Sequence, residues 1–435
     1  MSSKSWGIIG GGIMGMTLAH NLTKLGQKVT VFEASPELGG LVSSWKIGDI
    51  EWDKFYHVIL LSDFRTRNIL KDIGLEDHIQ WVETKTGFYV KGQLYSMSDI
   101  IEFLNFPTLN LIDKFRLGLT IIAASKIKNW KRLEKIPVTT WLKRWSGINT
   151  YNKIWLPLLR AKLGEDYKNT SAVFIWATIQ RLYGARKSGL KKEMFGFIPG
   201  GYKIVVQSFK KSLIEGGVQI KTNYEAQEVT PLKSGKINVK FSNECSEEFD
   251  QVILTLPSPI SSSICRKLSD LEKKQLNSIE YLGVICVTVM LNKSISDYYI
   301  TNITDEDILF TGVIEMSALV DKKYLNNKAL VYLPKYISSN DPLFKKTDEE
   351  IKGYFIENLK KMYGWITDDN IKFVGVARAK YVITIPKLNY SESLPNIQTT
   401  IPGLYIINTS HIKDGTLNVN ETVKVAENKL KEIIK

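Results

Sequence analysis

The spacing of apolar residues changes along the chain, and each change predicts a different element. Trp6-Gly-Ile-Ile9 is a short apolar run that ends in a glycine cluster, and it reads as a buried strand. From Met14 to Leu25 the spacing is helical, with Ala19 and Leu22 on one face and Gly26 as a stop. Lys28-Val-Thr-Val-Phe32 reads as a second strand that ends at Glu33. Residues 100–192 keep apolar periodicity with few strand runs, which predicts helices. Residues 280–385 carry runs such as Val284–Leu291 and Asn327–Tyr336, which predict strands. No internal repeat interrupts this order. A strand–helix–strand start predicts an α/β fold with a parallel sheet.

The turn between the first strand and the first helix adds chemistry to this pattern. Gly10, Gly12 and Gly15 form Gly-x-Gly-x-x-Gly between a strand and a helix. Gly10 permits a tight turn, Gly12 lets backbone approach a diphosphate, and Gly15 lets helix and strand pack closely. The helix start at Ile13 and Met14 offers free N–H groups to the phosphates. Glu33 follows Gly15 by 18 residues, where a carboxylate meets the ribose of an adenine dinucleotide, with Ala34 beside it.

Composition narrows the class. The chain has 435 residues, of which 44% are apolar and 24% charged, so fibrous and low-complexity readings are excluded. Three cysteines cannot build a disulfide framework, and the four histidines have no zinc-like spacing, so no metal site is expected. The first apolar run is too short for a secretory signal, and no stretch is long enough to span a membrane. A cytoplasmic protein is therefore expected. The net charge of +13 is concentrated: residues 113–192 hold 18 Lys/Arg against 4 acids. An anionic membrane surface, an acidic substrate or nucleic acid would suit such a segment. No nucleic-acid motif or aromatic stacking platform accompanies it, so no nucleic-acid partner is expected.

Beyond Glu33 the chain reads Ala34-Ser-Pro-Glu-Leu-Gly39-Gly40-Leu41. Here it resembles the flavoprotein superfamily of amine oxidases, protoporphyrinogen oxidases and UDP-galactopyranose mutases. The second glycine pair implies contacts of Gly39, Gly40 and Leu41 with the diphosphate and flavin of FAD. Many members have Arg after the pair; Leu41 removes that charge and looks more like the protoporphyrinogen-oxidase-like branch. The resemblance continues through Glu51–His57, Pro199–Tyr202 and Val218–Val229, a strand in which Ala226 matches the adenine contact. It also covers Asp250–Pro257, and Gly403–His411 followed by Asp414-Gly415-Thr416. It implies flavin contacts at Asn408, Asp414, Gly415 and Thr416. Asn408 stands where amine oxidases usually have Gly.

The resemblance implies a discontinuous FAD domain of residues 1–88, 195–258 and 390–435. A mainly helical subdomain (89–194) and a strand-rich substrate domain (259–389) would be inserted between its pieces. The expected architecture is a doubly wound, Rossmann-like FAD domain interleaved with a mixed α+β substrate domain, with the flavin at the seam. FAD would be non-covalent, since no cysteine carries an attachment motif. His57 is the candidate catalytic residue near the flavin, as a group able to exchange a proton; a packed neutral histidine is the alternative. His411, Arg160, Arg181 and Arg186 are weaker candidates for cofactor or substrate contacts. No second dinucleotide fingerprint exists, so an acceptor such as oxygen or a quinone is expected to take the electrons. The implied activity is oxidation or desaturation of a C–N or C–C bond in a bulky, anionic or lipophilic small molecule. A redox-neutral, mutase-like reaction on a nucleotide sugar is the alternative. Residues 104–133 combine apolar helix with basic residues, and read as a core helix or as a peripheral membrane contact.

Overall fold

Five parallel strands from distant parts of the chain form the first sheet. Their order is Gln219–Thr222, Lys28–Glu33, Ser5–Ile9, Gln251–Leu254 and Leu404–Ile406. The computed structural model describes residues 3–98, 100–184 and 193–434. Ile8, Val31 and Ile253 face one side of this sheet, and Ile9, Phe32 and Leu254 face the other. Both sides are covered, so the inner strands end in apolar runs, Ile8-Ile9 and Val252-Ile-Leu254, rather than alternating. The helix Ile13–Lys24 covers one face. The final helix, Val419–Ile434, packs on that helix through a stripe containing Val423, Ala426 and Leu430.

A second sheet has seven strands, in the order Ile371–Thr384, Tyr281–Leu291, Ala329–Ser338, Gly312–Glu315, Tyr298–Ile303, Lys85–Val90 and Gln93–Ser96. Tyr281–Leu291 is buried at all positions because both of its faces are used. Ile285, Val287, Val289 and Leu291 pack with Ile351, Phe355 and Leu359 of the helix Asp348–Met362. Val284, Cys286 and Met290 face the other way, towards Ile47, Trp52, Phe195 and Phe197. The seam therefore has one apolar wall from the seven-stranded sheet and another from two small sheets, of Ser44–Ile47 with Ile50–Asp53 and of Ile59–Leu60, Met194–Phe197 and Gln80–Glu83. Residues 100–184 form a helical block with its own core, including Leu117, Trp141, Leu142, Leu159 and Trp176.

Three expectations need correction. The single strand expected over Val218–Val229 is two strands in two sheets. Gln219–Thr222 edges the parallel sheet, and Ala226–Pro231 joins a three-stranded antiparallel sheet. Asn223, at φ 61°, makes the turn between them. The boundary expected at residue 88 falls inside Lys85–Val90, which pairs with Tyr298–Ile303 and Gln93–Ser96 in the seven-stranded sheet. The boundary at 258 is early as well. Ile264, Cys265, Leu268 and Leu276 pack against Ile9, Phe32 and Leu254 of the first sheet. In each case the resemblance located a segment, but the partner that covers it lies far away in sequence.

Candidate cofactor cradle and substrate seam

Two glycine loops meet at the carboxyl end of the parallel sheet. Gly10 has φ +111°, and a Cβ there would lie 2.3 Å from Thr255 Oγ1. A Cβ on Gly15 would lie 1.9 Å from the Gly10 carbonyl oxygen, so only glycine allows the helix this close to the turn. Gly12 is different: it caps the Ile13–Lys24 helix with no side-chain bond, and its nearest obstacle would be Gly39 O at 3.9 Å. Gly39 donates its N–H to Gly11 O at 3.0 Å, and a Cβ on Gly40 would meet Gly12 Cα at 3.4 Å. The second glycine pair thus lies directly against the first loop. Ile13, Met14 and Gly15 form the helix's first turn, where backbone N–H groups lack intrahelical partners.

Glu33 ends the second strand as expected. Its carboxylate accepts from Gly11 N–H at 2.8 Å and Ser35 N–H at 2.9 Å. Tyr224 N–H donates to Glu33 O at 2.9 Å, and Asn223 N–H to Ser35 O at 3.2 Å. These bonds bring the chain leading to Ala226 beside Glu33 and Ala34. An uncapped helix start, backbone-lined glycine walls and a carboxylate at the next strand end match the donors and acceptors of an adenine dinucleotide. The residues present fit FAD. Gly10–Gly15 and Gly39–Gly40 would hold the diphosphate, and Glu33 the ribose.

The C-terminal motif borders the same end of the sheet, with a different division of labour. The Asn408 side chain is occupied: Nδ2 donates to Leu256 O at 2.8 Å and Ser258 Oγ at 3.1 Å. Its Oδ1 accepts from the Ser410 N–H and hydroxyl. Its backbone is engaged as well, with its N–H 3.3 Å from His411 Nδ1 and its carbonyl oxygen accepting from His411 N–H at 3.1 Å. Asp414 pairs with Lys424 at 3.0 Å, so its carboxylate is turned to the final helix. Gly415 and Thr416 line a polar cavity of about 190 Å³ with Ser62, Asp63, Gln180 and Arg181. Leu41 and Leu417 contribute to the apolar seam cluster with Tyr56, Val58 and Tyr336. That cluster connects the glycine pair and the C-terminal motif to the seven-stranded sheet.

His57 lies in this seam. Its Nδ1 is 2.9 Å from Phe55 O, and its ring lies 5.1 Å from that of Tyr202. Burial pushes its pKa down to about 4, so the ring is neutral at neutral pH. His411 is also buried and pushed down to about 4, with Nδ1 3.1 Å from Asn408 O. Arg181 forks onto Asp63 at 2.9 and 3.2 Å, and Arg160 lies 2.7 Å from Glu306. Both guanidinium groups are therefore engaged within the protein. Arg186 lies outside the described residues.

Asp53, Lys162, Tyr332 and Tyr336 are functional candidates that sequence reasoning missed. Asp53 is buried, accepts from Tyr202 N–H at 2.8 Å, and has Oδ2 3.9 Å from His57 Nδ1. Tyr332 donates its hydroxyl to Asp53 O at 2.6 Å. Two residues of separation from Tyr332 to Pro334, and two more to Tyr336, place both tyrosines on one strand face. That alternation was the available signal. Burial pushes the Asp53 carboxyl up to about 8. Its folded pKa exceeds the unfolded one, so its contribution is full below the unfolded value and declines as pH rises to about 8. Asp53→Asn should therefore gain on wild type by about 1.4 kcal/mol per pH unit across that window. Thermal unfolding of both proteins from about pH 5 to pH 8 measures the difference. Parallel curves would mean that Asp53 is already ionised in the fold.

Comparison with known proteins agrees with this geometry. The chain is 23% identical over 425 residues to a zeta-carotene desaturase from Synechocystis sp., with 85% of each chain covered. An oxidoreductase from Methanosarcina mazei has the same fold, with TM-score 0.76, 17% identity, and 98% of this chain and 100% of that one covered. A reduced UDP-galactopyranose mutase also shares it, with TM-score 0.76, 14% identity, and coverage of 99% and 96%. Among the described residues no helix is long and apolar enough to cross a membrane. The profile of flavin-containing amine oxidoreductases matches residues 13–404, and with the glycine cradle in place the chain belongs to that family, as an FAD-dependent oxidoreductase.

Proposed function

We propose that the protein dehydrogenates a bulky, lipophilic small molecule taken up from an anionic membrane surface. One hydrogen leaves a C–H bond as hydride and one leaves the adjacent carbon or nitrogen as a proton that passes to solvent, and a C=C or C=N bond forms between the two atoms. FAD supplies the hydride acceptor, and oxygen or a quinone then takes the electrons. This chain's residues hold the cofactor, enclose the substrate in the apolar seam and exclude water.

One observation carries the reading. The helix Leu111–Lys126 turns most of its larger apolar side chains outwards. Leu111, Ile112 and Phe115 are 73%, 71% and 67% exposed, whereas Asp113 and Lys114 are buried. Ile101, Leu104, Leu119, Ile122 and Ile148 are exposed in the same helical block. A patch of this kind marks an interaction surface. Around it Lys126, Lys128, Lys131, Arg132 and Arg144 are exposed, with no carboxylate within 4 Å among the described residues. Apolar side chains rimmed by unpaired cations suit an anionic lipid interface. The desaturases among the relatives, named for zeta-carotene and phytoene, are consistent with a lipophilic substrate. Of the arginines that the mutase-like alternative would use for a diphosphate, Arg160 and Arg181 are already paired.

The test is anaerobic mixing of the FAD-loaded protein with candidate substrates. Phytoene, zeta-carotene, a long-chain amine and a long-chain carboxylic acid would be presented in phosphatidylglycerol vesicles, and putrescine and UDP-galactopyranose in solution. Bleaching of the yellow flavin band by a vesicle-borne compound is the expected result. Bleaching by putrescine alone, or conversion of UDP-galactopyranose by the pre-reduced protein, would replace this reading.

A further inference from the structure

Lys162 belongs to the helix Leu156–Leu163, whose one other charge, Arg160, is paired. Arg160 reaches Glu306, and Lys168 in the following turn reaches Glu165 at 2.6 Å. Lys162 has no carboxylate within 4 Å and makes no hydrogen bond among the described residues. Its Nζ instead lies 3.2 Å from the centre of the Tyr336 ring. The Tyr336 hydroxyl is 2.9 Å from that of Tyr56, and Tyr56 shares the seam cluster with Leu41 and Leu417. The ammonium is therefore two aromatic side chains away from the cofactor motifs.

Lys162, Tyr336, Tyr56 and His57 share one further property. Each keeps some accessible surface, yet protein surrounds each of them. Tyr56 and Tyr336 belong to the apolar seam cluster, and Lys162 lies on the ring face of Tyr336. An aromatic face attracts an ammonium by roughly 0.5–2 kcal/mol. Removing that ammonium from water costs several kcal/mol, which one ring does not offset. Burial accordingly pushes Lys162 down to about 7. Of the two tyrosine hydroxyl protons, one is used between the rings and the other remains to donate. One cation and one free O–H thus point to a shared acceptor.

We propose that Lys162, with the Tyr56–Tyr336 pair, anchors an acidic oxygen group of the substrate, a carboxylate or a phosphate, within the seam. The substrate class is then a lipophilic acid rather than a plain hydrocarbon, which rests on the proposed function and narrows it. The anion supplies the partner that the protein withholds from Lys162, and it fixes which end of a long substrate enters first.

The experiment titrates the FAD-loaded protein, just below pH 7, with benzoate, octanoate and phenyl phosphate. Benzyl alcohol and octanol are the uncharged controls, and perturbation of the flavin spectrum reports binding. The expected result is at least tenfold tighter binding of an acid than of its alcohol, with that preference lost in both Lys162→Met and Lys162→Gln. Preference for the carboxylates or for the phosphate tells which oxygen group the site takes. Flavin content and the melting temperature show that each variant is folded. Wild-type protein that retains FAD but favours no acid, or variants that keep the preference, would overturn the anchor alone. Protein that refuses FAD would instead overturn the cofactor site on which the proposed function stands.

Discussion

Gly12→Ala should yield a folded protein that purifies without its yellow colour. Gly12 has φ −74° and ψ −179°, a conformation open to alanine. The new methyl would find no protein atom nearer than Gly39 O, at 3.9 Å. Its effect on the fold should be small. The methyl would, however, stand on the loop surface that the diphosphate has to approach. Two or three charge-assisted bonds to the helix start are then lengthened or lost, each worth about 1.5–3 kcal/mol. FAD affinity should fall by about a hundredfold or more. Gly15→Ala should behave differently, because its Cβ would lie 1.9 Å from the Gly10 carbonyl oxygen. That variant should lose the fold itself. Flavin-to-protein absorbance and thermal unfolding separate the two outcomes. A yellow Gly12→Ala protein with wild-type affinity would move the diphosphate elsewhere.

Replacing Ile112 and Phe115 together by serine should release the protein from anionic vesicles without lowering its thermal stability. Both side chains are more than two-thirds exposed, so the fold gains little from them. Full burial of such a side chain is worth about 1.5–3 kcal/mol, and shallow insertion about half of that. Losing both should weaken vesicle binding by roughly a hundredfold. Each basic residue near the surface adds about 1 kcal/mol, so binding should also weaken in high salt. Leu117→Ser on the same helix is the control. Leu117 is buried, and its substitution should lower stability by about 2–5 kcal/mol. Co-sedimentation with phosphatidylglycerol and with phosphatidylcholine vesicles gives the reading. Equal binding of the double variant and wild type would remove this helix from the interface and weaken the proposed route of substrate entry.

The two predictions stand on opposite kinds of sequence signal. Gly10, Gly12, Gly15 and Glu33 were legible because a dinucleotide loop is local. Strand, turn, helix and ribose acid lie within one continuous segment, and the spacing specifies the geometry. The Leu111–Lys126 helix was ambiguous for the converse reason. Its composition is that of a core helix, and whether an apolar side chain faces a neighbour or solvent depends on elements elsewhere. The helix places Leu117, Thr120 and Ala124 inwards and leaves Leu111, Ile112 and Phe115 outwards. His57 and Asn408 show the same limit at the scale of a single residue. Their positions near the seam followed from motif resemblance. Burial and hydrogen bonds decided that His57 is neutral and that the Asn408 side chain is committed to Leu256, Ser258 and Ser410.

Sequence alone determined an adenine-dinucleotide cofactor, the α/β character and the mixture of helical and strand-rich insertions, because each rests on periodicity or on spacing within one segment, and resemblance narrowed the dinucleotide to FAD. Tertiary structure decided what depends on partners distant along the chain. It split Val218–Val229 between two sheets and moved Lys85–Val90 into the seven-stranded sheet. It also set Lys162 against Tyr336, whose sequence position is remote. A side chain's pKa, its exposure and its freedom to meet a ligand depend on what surrounds it in space, and residue order along the chain does not specify that.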